Sequence, residues 1–278
     1  MSLLKIIKEI TKTRKSTAIV YFSLRFLVIV CMILQLIRGD LYNAFLCIFS
    51  LLLFAIPFFI QNKFKITLPN TLEIIIFLFI FSSEILGEIN NFYRLIPCWD
   101  TVLHIINGFL CAAIGFSLID LLDKNRKKIK LSPIYLAIFS FCFSMTIGVF
   151  GEFFEFSADK IFLTDMQKDT FITKISTVEL DQNKSNKSII LNDIGKTIIY
   201  DTTGNELLTI HDGYLDIGLH DTMKDLFVNL IGALAFSFLG YCYLLNKKKY
   251  KFASNFIPIK KIDYKKDNNI SQSGNNEQ

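Results

Sequence analysis

The chain has 278 residues, of which 52% are hydrophobic and 28 are Phe, with a mean hydropathy of +0.42. No soluble core needs that much apolar surface, so the composition excludes an ordinary soluble domain and points to a membrane protein. The formal net charge of +5 does not signal nucleic acid, because most of the basic residues flank apolar stretches, where they set membrane topology.

Apolar runs of about 20 residues, the length needed to cross a bilayer, fall near 17–38, 41–61, 70–90, 100–122, 133–157 and 221–245. The expected fold class is therefore an all-α membrane protein: a bundle of six transmembrane helices with a small extracytoplasmic β-containing insert between spans five and six. In domain terms this gives a basic cytoplasmic amino terminus at 1–16, spans one to five over 17–159, the insert at 160–220, span six at 221–245, and a basic, disordered cytoplasmic tail at 246–278. Lys5, Lys8, Lys12, Arg14 and Lys15 precede the first run, which is too long for a signal-peptide core and lacks a small-residue cleavage site. It reads as a retained anchor. Near its middle, Arg25 is expected to pair with Glu84 or a span-five acid, or to snorkel to the surface.

Span three opens on Asn70 and Glu73, the spacing of a capping box, and span five on Ser132-Pro133, an N-cap followed by the proline favoured at the first helical position. Lysines and arginines gather at the amino terminus, in the 123–132 loop (Lys124, Arg126, Lys127, Lys128, Lys130) and in the tail from Lys247 onward, while the short loops holding Arg38 and Arg94 are poor in positive charge. Alternation then places a multi-pass protein in the cell membrane with both termini cytoplasmic. The Lys160–His220 connection lies outside, where TFITKIS, KTIIY and NELLTI are β-type runs and YDTTGNE carries turn residues, predicting a small hairpin. Six Cys occur without a CxxC pair, so neither a zinc knuckle nor a disulfide framework is supported.

With this topology the acids of four helices meet at one leaflet. Span three ends with Glu84 and Glu88, span four begins with Asp100 and His104, span five ends with Glu152, Glu155 and Asp159, and span six begins with Asp221, Asp225 and Asn229. Spacings of three and four residues keep each set on one helix face. Carboxylates inside a bilayer are costly unless they face a cavity, a partner or a cation. Asp100 and Asp221 stand where an N-cap would, and Glu88 and Asp159 where an interfacial acid would. Asp225, Glu152 and Glu155 are harder to explain that way. Gly108, Ala112 and Gly115, and on span six Gly232 and Gly240, provide small surfaces for close helix approach.

These residues carry a resemblance. GEINNFYRLIPCWDTVLHIINGFL, GEFFEFSAD, TDMQKDT and GLHDTMKDLFVNLIGA resemble the YjdF-type family of bacterial polytopic membrane proteins, from about Glu84 to Tyr243. The resemblance implies a six-helix membrane protein and no particular reaction. More distantly, Asp100-x3-His104, Glu152 and Asp225-x3-Asn229-x2-Gly232 are similar to VanZ-like membrane proteins, whose pattern continues into a glutamine and a later arginine where this chain has Glu155 and a long polar insert.

Carboxylates with one imidazole suit a divalent cation, whether Mg²⁺, Mn²⁺, Ca²⁺ or Zn²⁺. The expected metal ligands are His104, Glu152 and Asp225, with Glu155 as catalytic base and Glu84, Asp100, Asn229 and Asp221 in support. No HExxH, GxSxG or phosphate-cradling glycine loop is present. The expected activity is a metal-dependent enzyme acting on a lipid or lipid-linked cell-envelope substrate, with membrane lipids as partners. The alternatives are a non-catalytic ion- or ligand-binding or transport protein, and an accessory envelope protein whose polar residues only lock helices together.

Overall fold

The structure, a computed structural model, describes residues 15–125 and 131–260. The expectations for the basic residues at 1–14, for 126–130 in the basic loop and for 261–278 in the tail lie outside the described residues.

A bilayer offers the backbone no hydrogen-bond partners, so the apolar runs must satisfy their own amides as helices. They do so as α1 (Lys15–Arg38), α2 (Leu41–Leu53) continued by α3 (Ile56–Lys63), α4 (Asn70–Ile80), α6 (Trp99–Asn125), α7 (Pro133–Phe162) and α8 (Leu219–Leu245), with a short α5 (Phe92–Leu95) before α6. Among the described residues, five stretches are long and apolar enough to cross a membrane: Lys15–Arg38, Leu41–Lys63, Trp99–Ile119, Pro133–Phe162 and Leu219–Leu245. The third expected span takes a different form. After α4 its helix widens to a π-helix over Phe81–Ile89, with Asn90 N–H donating to Ile85 O at 3.1 Å, so no single regular helix covers 70–90. Asn91 then takes a left-handed conformation, φ +57°, and ends it.

The chain divides into two compact units, Met1–Gly148 with Val228–Gln278, and Val149–Phe227. Among its described residues the first has two core clusters. One joins Leu24 and Val28 of α1, Cys47 of α2, Phe54, Phe77 and Ile80 of α4, and Ile85 and Ile89 of the π-helix. The other joins Leu72, Leu110, Ala112, Ala113, Phe116, Leu136 and Phe236 with Ile66, Leu68, Ala253 and Ile257. Those last residues correct one expectation. The segment after 246 is folded as far as Lys260: a 3₁₀-helix at Lys251–Phe256 leads into β8 (Ile259–Lys260), which pairs antiparallel with β1 (Ile66–Thr67). Ala253 and Ile257 are apolar and find a place in the core, which holds the segment down.

The capping-box expectation also needs correction. Asn70 is already helical and its side chain makes no cap hydrogen bond. Glu73 is instead buried and accepts from Gln61 Nε2 at 3.0 Å, while Gln61 Oε1 accepts Leu68 N–H at 3.0 Å. Arg25 donates to the Tyr21 hydroxyl one turn away. Helix α7 does begin at Pro133, as expected.

Serines and glycines bring α6 close to its neighbours in this unit. Ser144 Oγ donates to Gly108 O and Ser140 Oγ to Ala112 O, each at 2.7 Å. A methyl group on Gly108 would strike the backbone at Asn229 and Ala233, and one on Gly232 the backbone at Ile105 and Phe109. Small residues thus let α6 and α8 touch backbone to backbone. Further along, Gly240 receives the Phe116 ring, so residue numbers rise together and the two helices run parallel here.

The second unit contains the sheet-forming insert. β2 (Thr170–Ile172) pairs with β7 (Tyr214–Asp216), β3 (Ile175–Thr177) with β4 (Ile189–Leu191), and β5 (Lys196–Tyr200) with β6 (Glu206–His211), all antiparallel. The β5–β6 pair is the expected hairpin. Its turn is organised by Asp201 Oδ1, which accepts the backbone N–H groups of Thr203 and Asn205 at 2.8 Å each. Those bonds, with the Thr203 hydroxyl foremost, hold the Asp201 carboxyl down at about 2.

Candidate functional site

In the first unit a polar line runs down α6. His104 Nε2 lies 3.4 Å from Asp100 Oδ1, an i,i+4 pair on one helix face. Three residues further on, Asn107 Nδ2 donates to Asn229 Oδ1 of α8 at 3.3 Å, and Cys111 Sγ donates back to Asn107 Oδ1 at 3.5 Å. Asn229 is 1% exposed, and its Nδ2 also reaches Met145 Sδ at 3.7 Å. Gly148 lies directly under the Asn229 amide, and no side chain would fit there. Asn229 is therefore a built feature of the packing.

Above this line stands the π-helix. Trp99 Nε1 donates to Ser82 O of this helix at 3.2 Å. Ser83 Oγ is 3.1 Å from the Tyr93 hydroxyl, and the Tyr93 ring covers Gly87. Burial, and then the carboxylates of Glu88, Asp100 and Glu84, hold the Tyr93 phenol above its ordinary range, against a hydrogen bond with Ser83 that lowers it. Glu84 and Asp100 therefore share the neighbourhood of one hydroxyl. Glu84 is half-buried and Glu88 exposed.

In the second unit, Asp225 is 2% exposed and Glu152 is 5% exposed. Glu155 is half-buried one turn beyond Glu152 on the same face of α7. Lys224 Nζ lies 3.5 Å from Asp225 Oδ1 and 3.5 Å from Asp221 Oδ1.

Two acids are committed to holding chain segments. Asp159 accepts Thr164 Oγ1 at 2.8 Å, Met166 N–H at 2.6 Å and Gln167 N–H at 2.9 Å. Asp221 Oδ2 accepts Lys168 N–H at 2.8 Å, and Gln167 Nε2 donates to Thr222 Oγ1. The TDMQKDT motif is thus a clasp between the end of α7 and the start of α8. Asp221 does not cap α8 as its position suggested. A left-handed Gly218, φ +87°, turns the chain so that Asp216 Oδ2 accepts the His220 N–H at 2.8 Å. His211 and His220 are exposed. Lys224, Tyr93 and Trp99 were not anticipated; the signal for Lys224 was its place between two acids in DTMKD.

Comparison with known proteins agrees with the family resemblance. Residues 19–246 match the family model described as "Predicted membrane protein (DUF2238)". No curated protein and no solved structure matches the chain. With residues 19–246 of 278 inside one family model, the chain belongs to this family of membrane proteins.

Proposed function

We propose that the chain is a six-span cell-membrane protein in which Asp100, His104 and Asp225 hold a divalent cation that serves chemistry on a lipid or lipid-linked envelope substrate. The observation that carries this reading is the Asn107–Asn229 contact at 3.3 Å, which sets the level of α6 against α8. Because α8 is one unbroken helix, Asp225 lies one turn before Asn229 on the same face, as His104 lies one turn before Asn107 and Gly108. That shared spacing supports grouping Asp225 with His104 and Asp100 as candidate ligands. Two carboxylates and one imidazole form a donor set that suits a divalent metal ion.

In this reading Asp100 takes the ligand role that the sequence suggested for Glu152. Glu155 remains the candidate base towards a bound water, with Glu152 beside it. Transport fits less well, because the line beyond Asn107 and Asn229 continues into Ala112, Ala113, Phe116, Ala233 and Phe236, all buried and apolar.

The six-span count rests on parity. β1 and β8 pair with each other and must lie on one side of the bilayer. Between them lie the candidate crossings Trp99–Ile119, Pro133–Phe162 and Leu219–Leu245, an odd number, which supports reading the α4–π-helix stretch as a further crossing.

The test is Mn²⁺ binding to the purified full-length protein in lipid nanodiscs, read by electron paramagnetic resonance. A saturable site is expected, weakened more than about tenfold in Asp225→Asn and in His104→Gln, since each removes a ligand. Affinity unchanged in both variants, or no saturable binding in the native protein, would leave the accessory-protein reading, in which these variants lower folded yield alone.

A further inference from the structure

Asp221 and Asp225, both near the Lys224 ammonium, are not equivalent. Asp221, with its side chain 12% exposed, also receives the Lys168 N–H. Asp225, at 2% exposed, lies far deeper. A carboxylate so buried needs a counter-charge, and removing the partner of a buried charge is strongly unfavourable. Lys224 supplies that charge from a side chain that is 44% exposed, on a flexible four-carbon stem.

We propose that Lys224 is the resident counter-ion of Asp225, displaced when a divalent cation binds, and that it thereby sets the preference for divalent over monovalent cations. The proposal rests on the cation reading above. Asp221 makes the displacement feasible: Lys224 can release Asp225 and keep Asp221, which retains the Lys168 amide throughout. A monovalent ion brings only the charge that the lysine already supplies and gains nothing by replacing it. A divalent ion brings twice that charge and repels the ammonium towards Asp221 and water.

Mn²⁺ affinity, with and without competing Na⁺, decides the matter in the full-length protein at fixed pH and ionic strength. Lys224→Met is expected to tighten Mn²⁺ binding by about fivefold, the scale of a half-exposed ion pair, and to let Na⁺ compete where the native protein ignores it. Lys224→Gln should do the same and covers a folding defect peculiar to methionine, while Lys224→Arg, which keeps the charge, should stay near native affinity. If Asp225→Asn abolishes binding but Lys224→Met and Lys224→Gln match the native protein, the cation site stands and the role of Lys224 falls. If neither the native protein nor the Lys224 variants bind Mn²⁺, both fall.

Discussion

Replacing Gly232 by alanine adds one methyl group at the closest approach of α6 and α8. The new carbon would meet the carbonyl of Ile105 and the amide of Phe109. Both are backbone atoms of a helix, so no side chain can rotate away and the helices must part. Overpacking of this kind costs about 1–3 kcal/mol. Parting also stretches the Asn107–Asn229 hydrogen bond, already 3.3 Å long, and an interhelical bond in a membrane is worth about 0.6 kcal/mol. The sum, roughly 1.6–3.6 kcal/mol, corresponds to a fall in Tm of about 3–14 °C for a chain of this size. The melt can be followed with a thiol-reactive fluorophore that reports the buried Cys47 and Cys242, after Ser replaces the exposed Cys98 and Cys142. Gly151→Ala is the control, because nothing lies within 4 Å of a methyl group there. Gly108→Ala strikes the same interface from the other side, so the double variant should lose less than the sum of the two. A Gly232→Ala protein that melts with the Gly151→Ala control would refute the backbone-to-backbone account of this helix pair.

Asp159→Ala removes the acceptor for Thr164, Met166 and Gln167 and should loosen residues 164–168 by about 1–3 kcal/mol, seen as faster amide exchange there while the α6 amides keep their protection. Unaltered exchange at Met166 would show that the clasp is held by something else. The Asp201 turn should be sensitive to acid. Its folded carboxyl titrates near 2 against an ordinary 3.8, so its contribution is complete above the ordinary value and disappears as pH falls through about 2. Amide protection at Thr203 and Asn205 should therefore hold down to about pH 4 and decline between there and about pH 2, with no such decline in Asp201→Asn; a flat profile in the native protein contradicts this. Ile257→Ala empties a position that is 4% exposed and should cost about 2–4 kcal/mol, measured in the same thiol-reactivity melt. A cost below about 0.5 kcal/mol would mean that the carboxy-terminal segment merely rests on the core.

The sequence was most informative where lipid leaves the chain little choice. Runs of apolar residues had to become helices, and α1, α6, α7 and α8 lie where those runs were found. Gly108 and Gly232 could be read as contact points because small residues in such helices have few other uses. The hairpin was legible from KTIIY, YDTTGNE and NELLTI, where strand and turn chemistry agree. Features set by distant partners were not. Nothing local to Glu73 names Gln61, and nothing in FSSEILGEI announces a π-helix, which depends on Trp99 and Tyr93 arriving from the next element. Asp100 was assigned to capping because its position in the sequence fits; its place beside His104 depends on where the helix begins, one residue earlier at Trp99. For the same reason the clasp acid Asp159 looked like an interfacial residue and Asp221 like an N-cap.

The pairing of β1 with β8 also imposes an order in time. Ile66 and Thr67 leave the ribosome 259 − 67 = 192 residues before Ile259, a delay of roughly 10–40 s at ordinary synthesis rates. Through that interval every helix of the bundle can be made and inserted while one strand edge waits without its mate and Ile66 and Leu68 lack the cover of Ala253 and Ile257. A chain released early would hold all its helices and still present an open apolar notch, the kind of surface that chaperones and membrane proteases bind. The few residues from Lys251 to Lys260 are therefore the last to close the core around Ile66 and Leu68, after the helices before them have been made.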